Sequence, residues 1–270
     1  MDKHYHDKVI WITGASSGIG EALALELAGR GARLILSARR ESVLAAVRDR
    51  MSTTAKQQTV LLPFDLTHSA ELGLVAEKAL AAFGHLDMVI LNGGIAQRSL
   101  ARKTGIDVDR EIMEVDYFAN VSLTKHLLPH FMERNKGGIV VVSSVMGFIG
   151  TPFRSGYAAA KHALHGFYDS LRAELWHKHR GVSVTLVCPG WVRTNITLNA
   201  LAGDGRKLNE MDPTTANGMD PQDFARNMLR GVAAGKAVLV IGGWKERMAV
   251  WMQRFTPGLF RRFVRTAKVR

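Results

Sequence analysis

The sequence predicts an α/β fold, a single doubly wound domain with about seven parallel strands and helices on both faces of the sheet. Three observations carry this. Short apolar runs recur at 8–13, 33–37, 59–63, 87–91, 138–143, 182–188 and 237–241. Helical patterns fill the intervals, near 19–30, 41–52, 68–83, 109–134, 155–179 and 221–234. A helix between successive strands is the crossover that parallel pairing requires. Finally, the first apolar run ends in a glycine-rich turn that opens directly into a helix. The chain of 270 residues, 47% of them hydrophobic, is long enough to fill one such core.

Lys8–Thr13 reads as a buried strand, and Glu21-Ala-Leu-Ala-Leu-Glu-Leu-Ala-Gly29 as a helix. Between them runs Gly14-Ala15-Ser16-Ser17-Gly18-Ile19-Gly20. Glycines let the backbone approach a pyrophosphate, and the following helix offers its free N–H groups to it. The spacing G-x-x-x-G-x-G differs from the commoner dinucleotide pattern G-x-G-x-x-G. In the strand–turn–helix setting it still points to a Rossmann-type nucleotide site.

The second strand runs out into Ser37-Ala38-Arg39-Arg40. An acidic residue at this place would hold both ribose hydroxyls of NAD. Ala38 stands there instead, and Arg39 and Arg40 suit a 2′-phosphate through charge-assisted bonds. NADP is therefore the expected cofactor, ahead of NAD, with Arg39 the first contact and Arg40 the second.

The strand at 138–143 delivers Ser144, and the next helix carries Tyr157 and Lys161. A spacing of four puts the phenol and the ammonium on one helix face. A neighbouring ammonium favours phenolate, which predicts a tyrosine able to exchange a proton with substrate. Ser144 would hydrogen-bond the substrate oxygen beside it.

After the strand at 182–188 the chain is least regular over 192–220, which follows a strand end where open α/β sheets bind ligands. It reads as a candidate substrate lid or as a plain surface loop. The enzymatic and cofactor-binding domain is expected to span 1–243 and a separate tail 244–270. That tail holds Lys245, Arg247, Arg254, Arg261, Arg262, Arg265, Lys268 and Arg270 against Glu246 alone, +7 of the total charge of +12. Trp244, Met248, Trp251, Phe255, Leu259, Phe260 and Phe263 are interleaved with them, and Pro257-Gly258 divides the segment into two short helices. Such a tail suits an anionic membrane surface, or packs on the body or on a second subunit; nucleic acid is not expected as its partner.

Cys188 is the one cysteine, which excludes an internal disulfide and fits a reducing, cytoplasmic setting. The ten histidines form no metal pattern, so no metal is expected. The polar Met1–Lys8 stretch does not read as a secretory signal, and no apolar run reaches the length of a membrane span.

Thr13–Gly20, Ser144, Tyr157 and Lys161 together resemble the short-chain dehydrogenase/reductase family in order and spacing, over about residues 7–243. Asn92-Gly93-Gly94-Ile-Ala-Gln-Arg-Ser99 and Val121–Lys125 look most like its dehydrogenase/reductase member seven branch. That resemblance implies hydride transfer between nicotinamide and the carbonyl or alcohol carbon of a lipophilic substrate, with Tyr157 as general acid/base, and a homodimer or homotetramer. It implies that Asp65 and Leu66 lie by the adenine and Asn92, Gly93 and Gly94 by the adenosine ribose. Leu91 takes the place of the first of two asparagines usual in the family. Pro189, Gly190, Val192 and Thr194 would meet the nicotinamide, and Lys161 its ribose. The asparagine that completes the family's usual catalytic set falls at Asp116, a carboxylate in place of an amide. A non-catalytic NADP-binding scaffold that uses its basic tail to hold membrane or protein is the alternative.

Overall fold

Side chains alternate across each strand, and the two faces of the sheet bury separate cores. The computed structural model describes residues 3–266. Its strands are β1 (Val9–Thr13), β2 (Arg33–Ser37), β3 (Thr59–Leu61), β4 (Met88–Leu91), β5 (Gly137–Val142), β6 (Val182–Pro189) and β7 (Val238–Ile241). All pair in parallel, in the order β3-β2-β1-β4-β5-β6-β7. In β1, Ile10 and Ile12 point into one core while Val9 and Trp11 point into the other. The seven expected strands are all present; β3 is shorter than its apolar run.

The helices are α1 (Gly18–Gly29), α2 (Glu41–Asp49), α3 (Thr53–Gln57), α4 (Leu72–Ala81), α5 (Ile106–Met113), α6 (Ala119–Glu133), α7 (Ser155–Lys178), α8 (Pro213–Ala216), α9 (Pro221–Ala233), α10 (Trp244–Phe255) and α11 (Pro257–Thr266). Residues of α1, α2 and α9 fill the first core, and residues of α4, α6 and α7 fill the second. The first core contains Leu23, Leu27, Leu44, Phe224 and Met228; the second contains Leu123, Phe131, Leu164 and Tyr168. Two large polar side chains within these cores are paired. Trp11 Nε1–H donates to Ser37 Oγ at 2.8 Å, and the Tyr5 hydroxyl donates to the Leu229 carbonyl at 2.6 Å.

The helix expected near 109–134 is one rod with an irregular centre. A π-turn, Glu114–Phe118, joins α5 to α6. Single π-turns inside helices recur at functional sites, and this one contains Asp116.

Segment 192–220 has little regular structure, but buried bonds fasten it. Asp212 is 1% exposed and ion-pairs with Arg98 at 3.1 Å and with Arg154 at 3.5 Å. Those two arginines lie after β4 and at the entry to α7, so the segment is tied to both.

The tail forms the two helices that Pro257-Gly258 implies, α10 and α11. Its inner face packs on the body. Phe260 is 4% exposed and joins Val145, Met146, Ile149 and Ala158, with Tyr157, Val250, Met252 and Val264 against them. Its outer face presents Trp244, Met248, Trp251, Phe255, Leu259 and Phe263 to solvent. Lys245, Arg247, Arg254, Arg261, Arg262 and Arg265 are exposed as well, while Lys268 and Arg270 lie outside the described residues. No helix among the described residues is long and apolar enough to cross a membrane.

Candidate active site

The carboxyl ends of β1 and β4, where the strand order reverses, open into a cleft of about 710 Å³. The glycine turn forms its floor. Gly14 and Gly18 have positive φ of 65° and 58°. A methyl group on Gly14 would come within 2.7 Å of the Gly93 Cα. Gly20 sits behind the cleft wall, where a Cβ would meet the Gly14 carbonyl. It serves the packing of α1 on the turn and does not line the cavity. Ser17 caps α1 without a side-chain hydrogen bond, so the first amides of the helix keep their donors for a ligand.

Asn92 holds this turn in shape. Its side-chain amide donates to the carbonyls of Thr13 (3.1 Å) and Gly14 (3.2 Å). The Thr13 hydroxyl in turn accepts the N–H groups of Asn92 and Gly93, both at 3.0 Å. Asn92 therefore lines the cleft with its side-chain donors committed to the backbone. Ser16, Ser17, Ile19, Arg39, Arg40, Asp65, Leu66, Gly94, Pro189, Gly190, Val192 and Thr194 line it too. Arg39 and Arg40 are exposed at its rim. The Asp65 carboxylate accepts the N–H and hydroxyl of Thr67 at 3.0 Å each. A glycine-floored cleft with open helix amides at one end and arginines at its rim fits a phosphorylated dinucleotide.

Ser144, Tyr157 and Lys161 converge at the far end of the same cleft. Ser144 Oγ accepts the Met146 N–H at 3.1 Å, which orients the hydroxyl, and a hydrogen bond to Tyr157 draws the phenol pKa down. The Lys161 ammonium lies 5.4 Å from the centre of the Tyr157 ring and donates to the Val142 carbonyl at 3.3 Å. Asp116 is fully buried behind them, outside the cavity lining, with Oδ2 3.1 Å from Lys161 Nζ.

One expectation from the sequence needs correction. Lys161 does act to lower the phenol, but Tyr157 ends above its ordinary value. Burial is the largest cause, and the Asp116 carboxylate adds to it. Lys161 is itself raised: burial would lower it, and the charges of Asp116 and Tyr157 outweigh that. Asp116 is raised by burial against the pull of Lys161 and the Ile95 N–H.

The structure adds wall residues that the sequence did not single out. Arg154 stacks on Trp191, with its guanidinium 5.1 Å from the ring, and both line the cleft. Met146, Ile196 and Thr215 supply further wall. Arg154 caps the helix that carries Tyr157, three residues before it, a position that could have marked it. Met146 and Ile196 carry no comparable sequence signal.

A family model described as short chain dehydrogenase matches residues 8–204. A dehydrogenase/reductase SDR family protein 7-like of Anopheles gambiae is 40% identical over 96% of this chain and 82% of its own. The dehydrogenase/reductase SDR family member 7B of Danio rerio is 41% identical over 94% of this chain and 83% of its own. Among solved structures, a short chain dehydrogenase/reductase from Burkholderia phymatum in complex with NAD superposes with a TM-score of 0.82. It is 22% identical and 96% of each chain is covered, a likeness of fold.

Proposed function

Because the chain belongs to the short chain dehydrogenase family, we propose that it is an NADP-dependent oxidoreductase of a lipophilic carbonyl or alcohol, with Tyr157 as its general acid/base. The observation that carries this is the convergence of Ser144, Tyr157 and Lys161 at one end of a cleft whose other end is a glycine-floored anion cradle.

A bound nicotinamide supplies or accepts the hydride. The protein's own residues manage the oxygen. In reduction, the carbonyl carbon gains a hydride while its oxygen takes a proton from the Tyr157 phenol. Ser144 donates a hydrogen bond to that oxygen and stabilises its developing charge. Lys161 would hold the nicotinamide ribose, and the Val192 backbone with the Thr194 hydroxyl would hold the carboxamide. Arg39 and then Arg40 select the 2′-phosphate of NADP. Met146, Ile196 and Trp191 give the substrate end an apolar wall, which suits a lipophilic partner.

The outer tail stripe supports a second element of the proposal, attachment to an anionic membrane surface from the cytoplasmic side. Trp244, Met248, Trp251 and Phe255 lie along one face of α10, and exposed cations flank them. Ile106, Phe118 and Trp176 are exposed on the α5–α6 rod and α7, apolar surface that a second copy of the chain would cover in a homodimer or homotetramer.

A panel of ketones and aldehydes with NADPH or NADH, followed at 340 nm, tests the reading. Turnover with NADPH is expected for some lipophilic carbonyl. In Tyr157→Phe it should fall by about 10²–10⁴-fold with cofactor binding retained. Cofactor and vesicle binding without turnover across the panel would favour a non-catalytic scaffold.

A further inference from the structure

A buried carboxylate stands against the catalytic lysine. Asp116 Oδ2 lies 3.1 Å from Lys161 Nζ, and the two side chains are 0% and 5% exposed. Each remaining acceptor of Asp116 is occupied or enclosed. Oδ1 takes the Ile95 N–H at 2.8 Å. The main-chain carbonyl takes the Asn120 side-chain amide at 2.8 Å, which also reaches the Val115 carbonyl at 3.4 Å. Above the pair lies the bare Cα of Gly94, where a methyl group would come 3.0 Å from Oδ1 and 3.5 Å from Nζ. The arrangement is a closed ion pair: the carboxylate touches the ammonium directly, and Asn120 covers the carbonyl beside it.

An ammonium alone beside a phenol promotes phenolate; an ammonium neutralised at contact distance promotes it much less. The other groups around the phenol do not replace the lost charge. Arg154, at the start of α7, also lowers the phenol, but more weakly than Lys161, and it shares the Asp212 carboxylate with Arg98. From β6, the Cys188 thiol is pushed up to about 12 by burial and stays neutral. His165, on α7 against Ser143 and Cys188, is held low by burial and is neutral near pH 7. Asp109 of α5 faces Gly156, and Glu111 lies on the cavity wall; both are acidic. Ser144 contributes a hydrogen bond and no charge.

We propose that Asp116 is a positioning residue that offsets the Lys161 charge at the phenol and so, together with burial, lets Tyr157 keep its proton through the physiological range. Near neutral pH the site then holds the proton-donating form that carbonyl reduction uses, and alcohol oxidation, which needs the phenolate, is displaced to alkaline pH. This rests on the oxidoreductase reading above and adds a pH range for each half of the reaction to it.

The test reads the phenol itself. The chain has four tyrosines, so ¹³Cζ-tyrosine labelling gives a sparse spectrum in which Tyr157→Phe identifies the signal. In cofactor-free protein, Tyr157 is expected to titrate at or above the free-phenol value of about 10. In Asp116→Asn, which keeps an oxygen for the Ile95 N–H, the midpoint should fall by about one pH unit or more. The alkaline limb of the oxidation pH–rate profile should move down by the same amount. A wild-type midpoint well below 10 overturns the proposal, as does an unmoved midpoint in folded Asp116→Asn. Should that variant fail to fold, Asp116→Ser is titrated in its place and the same drop in midpoint is required. The titration needs neither substrate nor turnover. Its failure therefore counts against the Asp116 role alone, and absent turnover with the expected titration counts against the oxidoreductase reading alone.

Discussion

Arg39 and Arg40 stand at the rim of the cleft, just past the carboxyl end of β2, and Ala38 before them leaves no carboxylate to compete for a ribose. Both guanidinium groups are exposed, so neither is needed to hold the fold, and in the proposed function they meet the 2′-phosphate. Arg39→Ala is expected to raise the KM for NADPH about tenfold or more, with little change for NADH. Initial rates with the two cofactors check this, and an equal loss for both would remove Arg39 from phosphate recognition. The residues proposed to react and to hold the cofactor, which the structure brings into one cleft, could be singled out because each lies within a short segment of fixed spacing: the glycine turn, the strand ending in Ser144, the Tyr157–Lys161 turn. Arg154, Trp191, Ile196 and Met146 were not. They meet only when the end of β5, the entry to α7 and the segment after β6 come together, and no local spacing encodes that meeting. The direction of the Tyr157 pKa shift was hidden for the same reason, since it depends first on how deeply the fold buries the phenol and then on the carboxylate that 114–118 sets behind Lys161.

Among the elements, α10 and α11 show how one amphipathic segment can satisfy two contacts. Residues on the inner side close an apolar wall beside the catalytic helix; those on the outer side form the aromatic stripe and its flanking cations. The two faces should separate by mutation. Phe260→Ala removes a buried ring and is expected to cost about 3 kcal/mol of stability, read by urea unfolding, with vesicle binding kept in the folded fraction. The pair Trp251→Glu and Phe255→Glu should leave unfolding nearly unchanged while abolishing sedimentation with vesicles containing phosphatidylserine. Retained sedimentation would count against the membrane reading. The sequence foretold two helices here from Pro257-Gly258, and seven strands from their β-branched runs. It did not reveal that Phe260 turns inward while Phe263 turns outward, because the body surface that selects between them is built by Val145, Met146, Ile149 and Ala158, far away in the chain. The π-turn was equally hidden: 109–134 reads as continuous helix, and a wider turn leaves no mark in the apolar period.

At the scale of the whole molecule, Asp87 fastens three elements at the amino-terminal edge of the sheet. Its carboxylate accepts the Val9 N–H at the start of β1 at 3.0 Å, and faces Arg134 at 3.2 Å just past α6 and His85 at 3.2 Å just before β4. Burial acts to raise its pKa, but these three partners together bring it below the ordinary carboxylate range. A depressed folded pKa means that the stabilisation is complete above the unfolded value near 3.8 and drains away as pH falls through the folded one. Asp87→Asn should therefore melt lower than wild type at pH 7, and the gap should close below about pH 4. A gap that persists at low pH would assign the loss to packing and not to ionisation.

The inward face of the tail has a practical consequence for anyone engineering this chain. Cutting at Trp244 to obtain a less adhesive enzyme would strip the cover from Val145, Met146 and Ile149, the residues that follow Ser144 directly, and exchange one sticky surface for another. The shortened protein would be expected to aggregate or to lose the substrate wall, and an inactive truncation would then say nothing about lipid. A well-behaved soluble form is better sought by repainting the outer stripe with charge and leaving both helices in place.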